Sequence, residues 1–540
     1  MARADPTNAE MADRLALFAA LLELSDASPF SIRAYVRAAE TVRSTPTSVA
    51  ELVRAGRIRE LRGIGAGIEK KLRELVETGE IAELRVLEQD VEPELVGFGR
   101  LLGLTPSRVL GIARDLGIRS AAEFQTAVEE GRLASVKGVG PSTEAKIRAA
   151  LERPPVAARG LTLDRSLALS RAVADALEGE VAGAPRRYCE LSHEIAVVCA
   201  ADDPAPVLAR FEALPTIVAV LEWHEDRAVG VTVEGVPVTV RVAPPRAFGT
   251  ALFRATGSEE YVRTHEPLPE APDEPTLFAA LGVAVCPPEL RESPAASPPA
   301  KLVERTDIRG DLHCHTTWSD GRATVREMAE AALARGYEYL AICDHTPNVG
   351  VVHGLDAAAL ARQAVEIAGV NEQLAPFRVL RGVECDIRAD GALDADDDVL
   401  ETLEWVQLSL HAGQRRPRSE LTRMVTEAMR HPAVRALSHP KGRMLNRRPE
   451  NALDLDEVFE VATDAGVALE VNGLPDRLDL SATHVREALS AGVDLVLNSD
   501  AHSARGLASL DLALGTARKG GVQRGSVVNC RALEQVLRTA

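Results

Sequence analysis

Apolar residues recur three and four positions apart through residues 7–155, in stretches rich in Ala, Leu, Arg and Glu that short Gly-containing turns interrupt, a pattern that predicts helices alone. The first of these, LALFAALLEL, is broken by Glu23 and flanked by acids, so it reads as a helix opened by a capping box of Thr7 and Glu10 and not as a signal peptide. Between about 161 and 243 the texture turns to β-branched runs, EIAVVCAA, AVGVTVEG and VPVTVRVAP, with helical pieces at LSRAVADAL and VLARFEAL. An α+β domain is expected there. Residues 286–300, CPPELRESPAASPPA, have no periodicity and read as a linker. Beyond them seven strand-like runs, near DIRGDLH, YEYLAIC, RVLRGVE, WVQLSL, RALSH, VALEVN and VDLVLNS, alternate largely with helical segments. Repeated βα units and a mainly parallel sheet follow, most simply closed as a barrel.

A chain of 540 residues exceeds a single core, and at about 150 residues per domain three or four are expected. With 46% hydrophobic and 26% charged residues the composition is that of a globular protein. The net charge of -18 would argue against nucleic acid if it were evenly spread, but residues 1–155 hold 22 Lys+Arg against 23 Asp+Glu. The acidity lies downstream, where carboxylates can hold cations. Seven cysteines, at 189, 199, 286, 314, 343, 385 and 530, are odd in number and form no CxxC pair, which points to reduced thiols and a cytoplasmic location. No apolar run reaches the ~18 residues of a membrane span, so no membrane partner is expected, and a monomer is the default.

Five of the seven predicted strands end in, or run straight into, a His, Asp or Glu: His313 and His315 in DLHCH, His345 in CDH, Glu384 in GVECD, His411 in SLHAG and His439 in SHPKG. Asp500 and His502, in DAH, follow the seventh strand, and Asp320 lies in the loop WSDG after the first. In a βα barrel the C-terminal strand ends share one mouth, so these residues meet in a single pocket. Any one histidine alone is more often a hydrogen-bonded core residue. Six of the twelve in the chain at strand ends favour a metal site. Imidazole with carboxylate suits zinc, manganese or iron, and an H-x-H on a strand turns both rings to one face. Cys314 and Cys385 adjoin a ligand and face the other way, and with Cys343, near His345, they read as packing. Lys441 and Arg443 beside His439, and Arg415 with Arg416 after His411, are placed either to neutralise substrate phosphates or to form a solvated basic loop.

DLHCHTTWSDG, CDHTP, GVECDI, SLHAG, HPKGR and NSDAH together resemble the successive motifs of the polymerase and histidinol phosphatase (PHP) family over about 230 residues. The resemblance implies a distorted seven-stranded βα barrel with three divalent ions. One ion would take His313, His315, Glu384 and Asp500, a second would share Glu384 and add His411 and His439, and a third would take Asp320, His345 and His502. Such a cluster hydrolyses phosphoesters.

In LRGIGAGIEKKLRELVETG, Gly63, Gly65 and Gly67 form a tight turn before a helix, whose free N–H groups can bind a phosphate oxygen; SVKGVGPSTEAKI repeats the pattern with Gly138 and Gly140. One such turn alone would be plain helix packing. Repetition, with Lys70 and Lys71 in the following helix, favours helix-hairpin-helix modules that grip nucleic-acid backbone without reading sequence. ELSDASPFSIRAYVRAAETVRS with GIEKK resembles the small N-terminal domain of family X DNA polymerases, and VRVAPPRAFGTALFRATGSEEY their palm–thumb junction; bacterial members carry a C-terminal PHP domain. The resemblance puts Lys71 at a position whose amine can attack an abasic sugar, with a phosphate contact as the simpler role.

The departures from that family concern the palm. Its Asp-x-Asp pair is here Glu194 and Ala196, its third Asp is Thr239, the nucleotide-binding signature is replaced by RRYCELS, and the thumb is short. Nucleotidyl transfer needs three carboxylates around two ions. The expected organisation is a helical domain with a helix-hairpin-helix over 1–85, a second, fingers-like hairpin domain over 86–155, a degenerate palm and shortened thumb over 156–290, a linker over 291–305 and a PHP domain over 306–540. The expected function is DNA repair or processing by a 3'-5' exonuclease, extending to abasic sites or 3'-phosphates. The alternatives are a small-molecule phosphatase of the histidinol phosphatase type, a residual DNA polymerase and a DNA-binding scaffold.

Overall fold

With no β-branched runs to favour strands, the described residues of the N-terminal region form helices joined by turns. The computed structural model describes residues 6, 8–22, 28–45, 48–61, 63–90, 93–151, 160–293, 301–349 and 352–538. Helix Asn8–Leu22 buries Met11, Leu15 and Phe18 against Ala38 and Val42 of helix Pro29–Ser44. Thr7, the expected cap of the first helix, lies outside the described residues. The second helix starts where Ser28 accepts the Ser31 N–H and Pro29 fills the first turn.

Two hairpins follow one geometric template. In the first, the 3-10 turn Ile58–Glu60 leads to Gly63 at φ +88 and helix Ala66–Thr78; in the second, Arg132–Ser135 leads to Gly138 at φ +86 and helix Pro141–Leu151. Ile64 and Val139 anchor the turns in separate cores, and each turn closes on matching bonds, Ile64 N to Leu61 O and Val139 N to Val136 O.

The middle sheet has strands β1 (Gly179–Ala182), β2 (Ile195–Ala200), β3 (Ala219–Trp223), β4 (Arg227–Val231) and β5 (Pro237–Ala243), ordered β1-β2-β5-β4-β3. Only β2 and β5 run parallel. Helices Leu163–Leu177 and Ala205–Glu212 cover one face, where Val173, Leu177, Leu208 and Phe211 meet Ile195, Val197, Val238 and Val240. The sequence pattern missed the two edge strands: β1 is short and starts on Gly, and β3 is half-buried without clean alternation. Three short helices follow, Phe248–Thr256, Glu259–Arg263 and Glu274–Leu281, tied by the buried Arg291, which with Arg186 binds Glu274. Of the expected linker, residues 294–300 lie outside the described residues. Its ends are anchored, since Arg291 is buried at one end and Val303 at the other bonds Val522.

All seven predicted strands of the C-terminal domain form: β6 (Gly310–Cys314), β7 (Tyr339–Ile342), β8 (Arg378–Asp386), β9 (Trp405–Ser409), β10 (Val434–Leu437), β11 (Ala468–Asn472) and β12 (Leu495–Asn498). They pair in sequence order and in parallel. Leu380, Trp405, Ala468 and Val496 belong to one apolar cluster, and Glu384, Gln407, Glu470 and Asn498 follow two or four residues later on the same strands. The two-residue period therefore takes the interior from an apolar floor to a polar mouth. Between β12 and β6 the barrel is nearly closed by the single backbone bridge Cys314–Ala501, with side chains doing the rest: Asn529 Nδ2 donates to Gly310 O (2.9 Å) and Leu497 O (2.6 Å), and Asn498 Oδ1 accepts the Leu312 N–H (3.0 Å).

The middle domain docks on the barrel through Arg443–Glu190, Asn446 to Gly160 O, Lys519–Glu292 and Arg518–Glu289. Leu163, Leu167, Tyr188, Leu445, Leu478 and Leu512 cluster between them, and the Tyr188 ring lies so close over Gly515 that no side chain fits there.

Candidate metal centre

The parallel strands deliver the nine predicted side chains to one mouth, where Glu384, buried on β8, stands at the middle. Its Oε1 lies 3.0 Å from His439 Nε2 and 3.7 Å from His411 Nε2; its Oε2 lies 2.9 Å from His345 Nδ1, 3.6 Å from His313 Nε2 and 3.7 Å from His315 Nε2. His315 Nε2 is 3.1 Å from Asp500 Oδ1, and Asp320 Oδ2 is 3.3 Å from His502 Nε2 and 3.6 Å from His345 Nε2. Three sets of donor atoms lie within metal-holding reach of one another: His315, Asp320, His345 and His502; His313, His315 and Asp500; and His345, Glu384 and His411. His439 joins them through Glu384. His439 at φ +26 and Asp500 at φ +53 have backbones that L side chains rarely adopt, strain of the kind stored at functional sites.

Burial alone would push the Glu384 carboxyl up, but His345, His411 and His313 hold it well below the usual carboxylate range. Burial would lower His345, yet Glu384 and Asp320 raise it to about 10, while burial together with His502 and His345 lowers His315 to about 3. Positive charge is thus demanded by the carboxylates and shared unevenly among the rings. His315 Nδ1 is buried with no hydrogen bond, and His345 Nδ1, though 2.9 Å from Glu384, is not aligned for one. Buried nitrogen atoms without hydrogen bonds amid carboxylates fit a cluster of divalent cations.

A second layer fixes the rings. His313 Nδ1 donates to Glu470 Oε1 (2.7 Å), leaving Nε2 toward the centre. Glu470 also accepts from Gln407 Nε2 (2.6 Å), Asn498 Nδ2 (2.9 Å), the His439 N–H (2.7 Å) and Asn472 Nδ2 (3.0 Å). Asp386 accepts the His411 N–H, and Asp344 accepts from Thr316, Ser319 and Gln363 beneath the Asp320 loop. Sequence reasoning missed Glu470, Gln407, Asp344 and Asp386. The available signal was a polar residue inside an otherwise apolar strand, as in VALEVN and WVQLSL.

The basic residues expected at the mouth divide. Arg415 is exposed, whereas Arg416 binds Glu420 (2.6 Å) and Met424. Lys441 is buried, its Nζ donating to Leu453 O, and Arg443 is buried in the bridge to Glu190. Both come after a tight loop that folds back into the domain, so neither guanidinium nor amine is free for a phosphate. Cys314, Cys343 and Cys385 are buried in the apolar clusters, and all seven cysteines are free thiols.

In the N-terminal region Gly63, Gly65, Gly67 and Lys70 are exposed on the first hairpin, as are Gly138 and Gly140 on the second. Lys71 is ion-paired with Glu83 (2.5 Å) over the ring of Phe18. In the middle sheet Ala196 on β2 lies in register with Thr239 on β5, so the two positions are neighbours, and Glu194 is exposed just before β2. Ala196, partly buried, packs against the apolar cluster of Ala182, Val198 and Leu252. Among the described residues, every grouping of three or more metal-donor side chains lies in the barrel. No helix among them is long and apolar enough to cross a membrane.

A helix-hairpin-helix domain family matches residues 6–81 and a PHP domain family matches residues 311–477. The chain is 32% identical over an alignment 558 positions long to the DNA polymerase/3'-5' exonuclease PolX of Bacillus subtilis (strain 168), covering 97% of each. A probable phosphatase of Syntrophotalea carbinolica is 31% identical over 240 residues, 42% of this chain and 93% of that protein. Another, of Acetivibrio thermocellus, is 30% identical over 201 residues, 36% and 78% respectively.

Proposed function

The chain belongs to the bacterial PolX family, and from that premise we propose that it is a DNA-processing 3'-5' exonuclease whose hydrolytic centre is the PHP barrel and whose palm no longer polymerises. The observation that carries this reading is the convergence of His313, His315, Asp320, His345, Glu384, His411, His439, Asp500 and His502 on one mouth. Three divalent ions, zinc, manganese or iron, are the proposed occupants. When bound, they supply Lewis-acid charge to the phosphoryl oxygens and lower the pKa of an attacking water.

The chain's own residues orient this chemistry. Glu470 sets the His313 tautomer, Asp344 braces the loop that carries Asp320, and Asp386 holds the His411 backbone. The exposed hairpin turns at Gly63–Gly67 and Gly138–Gly140, with Lys70, present N–H groups and positive charge to a DNA backbone without contacting bases. Arg415 is the basic side chain at the mouth proposed to meet substrate phosphate. Lys71, already paired with Glu83, is read as a backbone contact and not as a lyase amine.

Loss of polymerisation is supported by Ala196 and Thr239 standing side by side where two ions would need carboxylates, and by the apolar packing of Ala196. The phosphatase relatives match 42% and 36% of this chain, shares no larger than the barrel domain, which favours phosphomonoester hydrolysis as a second activity of the same centre, such as removal of a 3'-phosphate. The test is incubation with Mn2+ and a 3'-recessed duplex labelled at its 5' end, with and without nucleotides. Stepwise shortening that a His313→Ala/His315→Ala variant loses supports the proposal. Primer extension would overturn the account of the palm, and no shortening would overturn the nuclease.

A further inference from the structure

We infer that Glu190, on the palm, is a positioning residue for the metal centre of the barrel, acting through Arg443 on the loop that carries His439; the inference deepens the hydrolytic reading above and rests on it. Arg443 sits four residues beyond His439, and its side chain is only 8% exposed. Its Nη1 donates to Glu190 Oε2 (3.0 Å), Nη2 to Glu190 Oε1 (2.5 Å) and to Leu478 O, and Nε to Arg477 O (3.0 Å). One guanidinium therefore joins three segments: the loop after β10, the loop after β11 and the palm. A planar fork bound at both ends of a carboxylate fixes direction as well as distance.

The loop after β10 needs such a fixture. His439 is held in a left-handed backbone with its Nε2 3.0 Å from Glu384, and a conformation of that kind persists only when its surroundings impose it. The surroundings include Gly442 N to His439 O, Leu445 N to Asp476 O, and Asn446 Nδ2 to Gly160 O of the palm side. Leu445 packs with Leu163, Leu167 and Tyr188 of the palm. Remove the carboxylate at 190, and Arg443 keeps its carbonyl partners and a looser approach to Glu450 (3.6 Å) but loses the carboxylate that grips it at both nitrogens and aims it. A pair like this, with Arg443 buried and Glu190 half-buried, specifies geometry more than it adds stability.

The same interface supplies its own control. Lys519 ends the helix that follows β12, and its contacts with Glu292 (2.6 Å) and Arg187 O are made from that helix and not from a loop that carries a candidate ligand. Glu190 and Glu292 thus grip the barrel through different elements, and only the first touches a ligand-bearing loop. The palm segment that departs from the polymerase signature, RRYCELS, contributes Arg187, Tyr188, Cys189 and Glu190 to this docking face.

The experiment compares full-length wild type with Glu190→Gln, Glu190→Asp and Glu292→Gln by calorimetric Mn2+ titration, by thermal unfolding, and by hydrolysis of both the recessed duplex and bis(p-nitrophenyl) phosphate over a Mn2+ series. Glu190→Gln is expected to weaken Mn2+ binding and raise the Mn2+ needed for half-maximal activity by about tenfold, the lower end of what loss of a ligand-orienting contact does. kcat falls while KM for DNA stays. Glu190→Asp shifts in the same direction by less, and it carries the test at any temperature where Glu190→Gln has melted. Glu292→Gln lowers the melting temperature and leaves Mn2+ dependence alone. Wild-type Mn2+ affinity in Glu190→Gln, or identical shifts in Glu190→Gln and Glu292→Gln, would overturn the inference. Wild type that hydrolyses neither substrate would instead sink the functional reading, and the calorimetric comparison would still decide the role of Glu190.

Discussion

Replacing Glu470 by Gln tests how the metal centre is held. The carboxylate is fully buried and accepts five hydrogen bonds, three on Oε1 and two on Oε2. A Gln side chain keeps one acceptor oxygen. Its cheaper orientation turns that oxygen to His313, Gln407 and Asn498, leaving the His439 N–H and the Asn472 amide facing an NH2 group. Bonds to a charged acceptor contribute about 1.5–3 kcal/mol each, so losing two costs about 3–6 kcal/mol before relaxation. The lower end of that range corresponds to a fall of about 6–12 °C in melting temperature for a domain of this size. Because His313 loses its anionic orienting partner, metal affinity should drop by about 10–100-fold, or roughly 1.4–2.8 kcal/mol. Thermal melts of chelator-treated protein and calorimetric Mn2+ titrations measure the two effects separately. A variant that melts like wild type would refute the donor count, and one that melts early but binds Mn2+ normally would refute the claim that Glu470 aims the histidines.

Two further expectations concern charge. Burial would raise the Glu292 carboxyl, but Lys519, Cys189 and Arg187 hold it down at about 2, below its unfolded value; its contribution to stability is therefore complete above the ordinary carboxylate pKa and lost as pH falls through about 2. Acid-unfolding curves of wild type and Glu292→Gln should accordingly lie apart near neutrality and converge between those limits, and a constant gap would contradict this assignment. Lys70→Ala should weaken binding to DNA duplexes of any sequence about equally and reduce the slope of log affinity against log salt by about 1, measurable by fluorescence anisotropy; a loss confined to one sequence would mean that Lys70 reads bases.

The barrel was legible because its strands are short apolar runs that end in ligands, and a parallel sheet can use those ends only at one mouth. The hairpins were legible because Gly63 and Gly138 supply a positive φ that few other residues tolerate. Glu470 escaped because one acid in VALEVN reads as an outward-facing position; only the barrel's curvature shows that its face is interior. The fate of Arg443 escaped for a different reason. Its partner Glu190 lies 253 positions earlier in the chain, and no local pattern distinguishes an arginine turned toward a substrate from one turned toward another domain. In the middle sheet, β1 and β3 were missed because edge strands lack the apolar runs that betrayed β2, β4 and β5.

The seam between β12 and β6 has a consequence for breathing motions. One backbone bridge and the amides of Asn498 and Asn529 replace a full ladder there, so this is where the barrel should part first when it opens locally. His313 and His315 stand on one lip, and Asp500 and His502 on the other. Ions held between them would act as rivets across the weakest joint of the barrel, so that amide protons of β6 and β12 should exchange slowly with metal added and become the fastest-exchanging strands of the barrel in chelator.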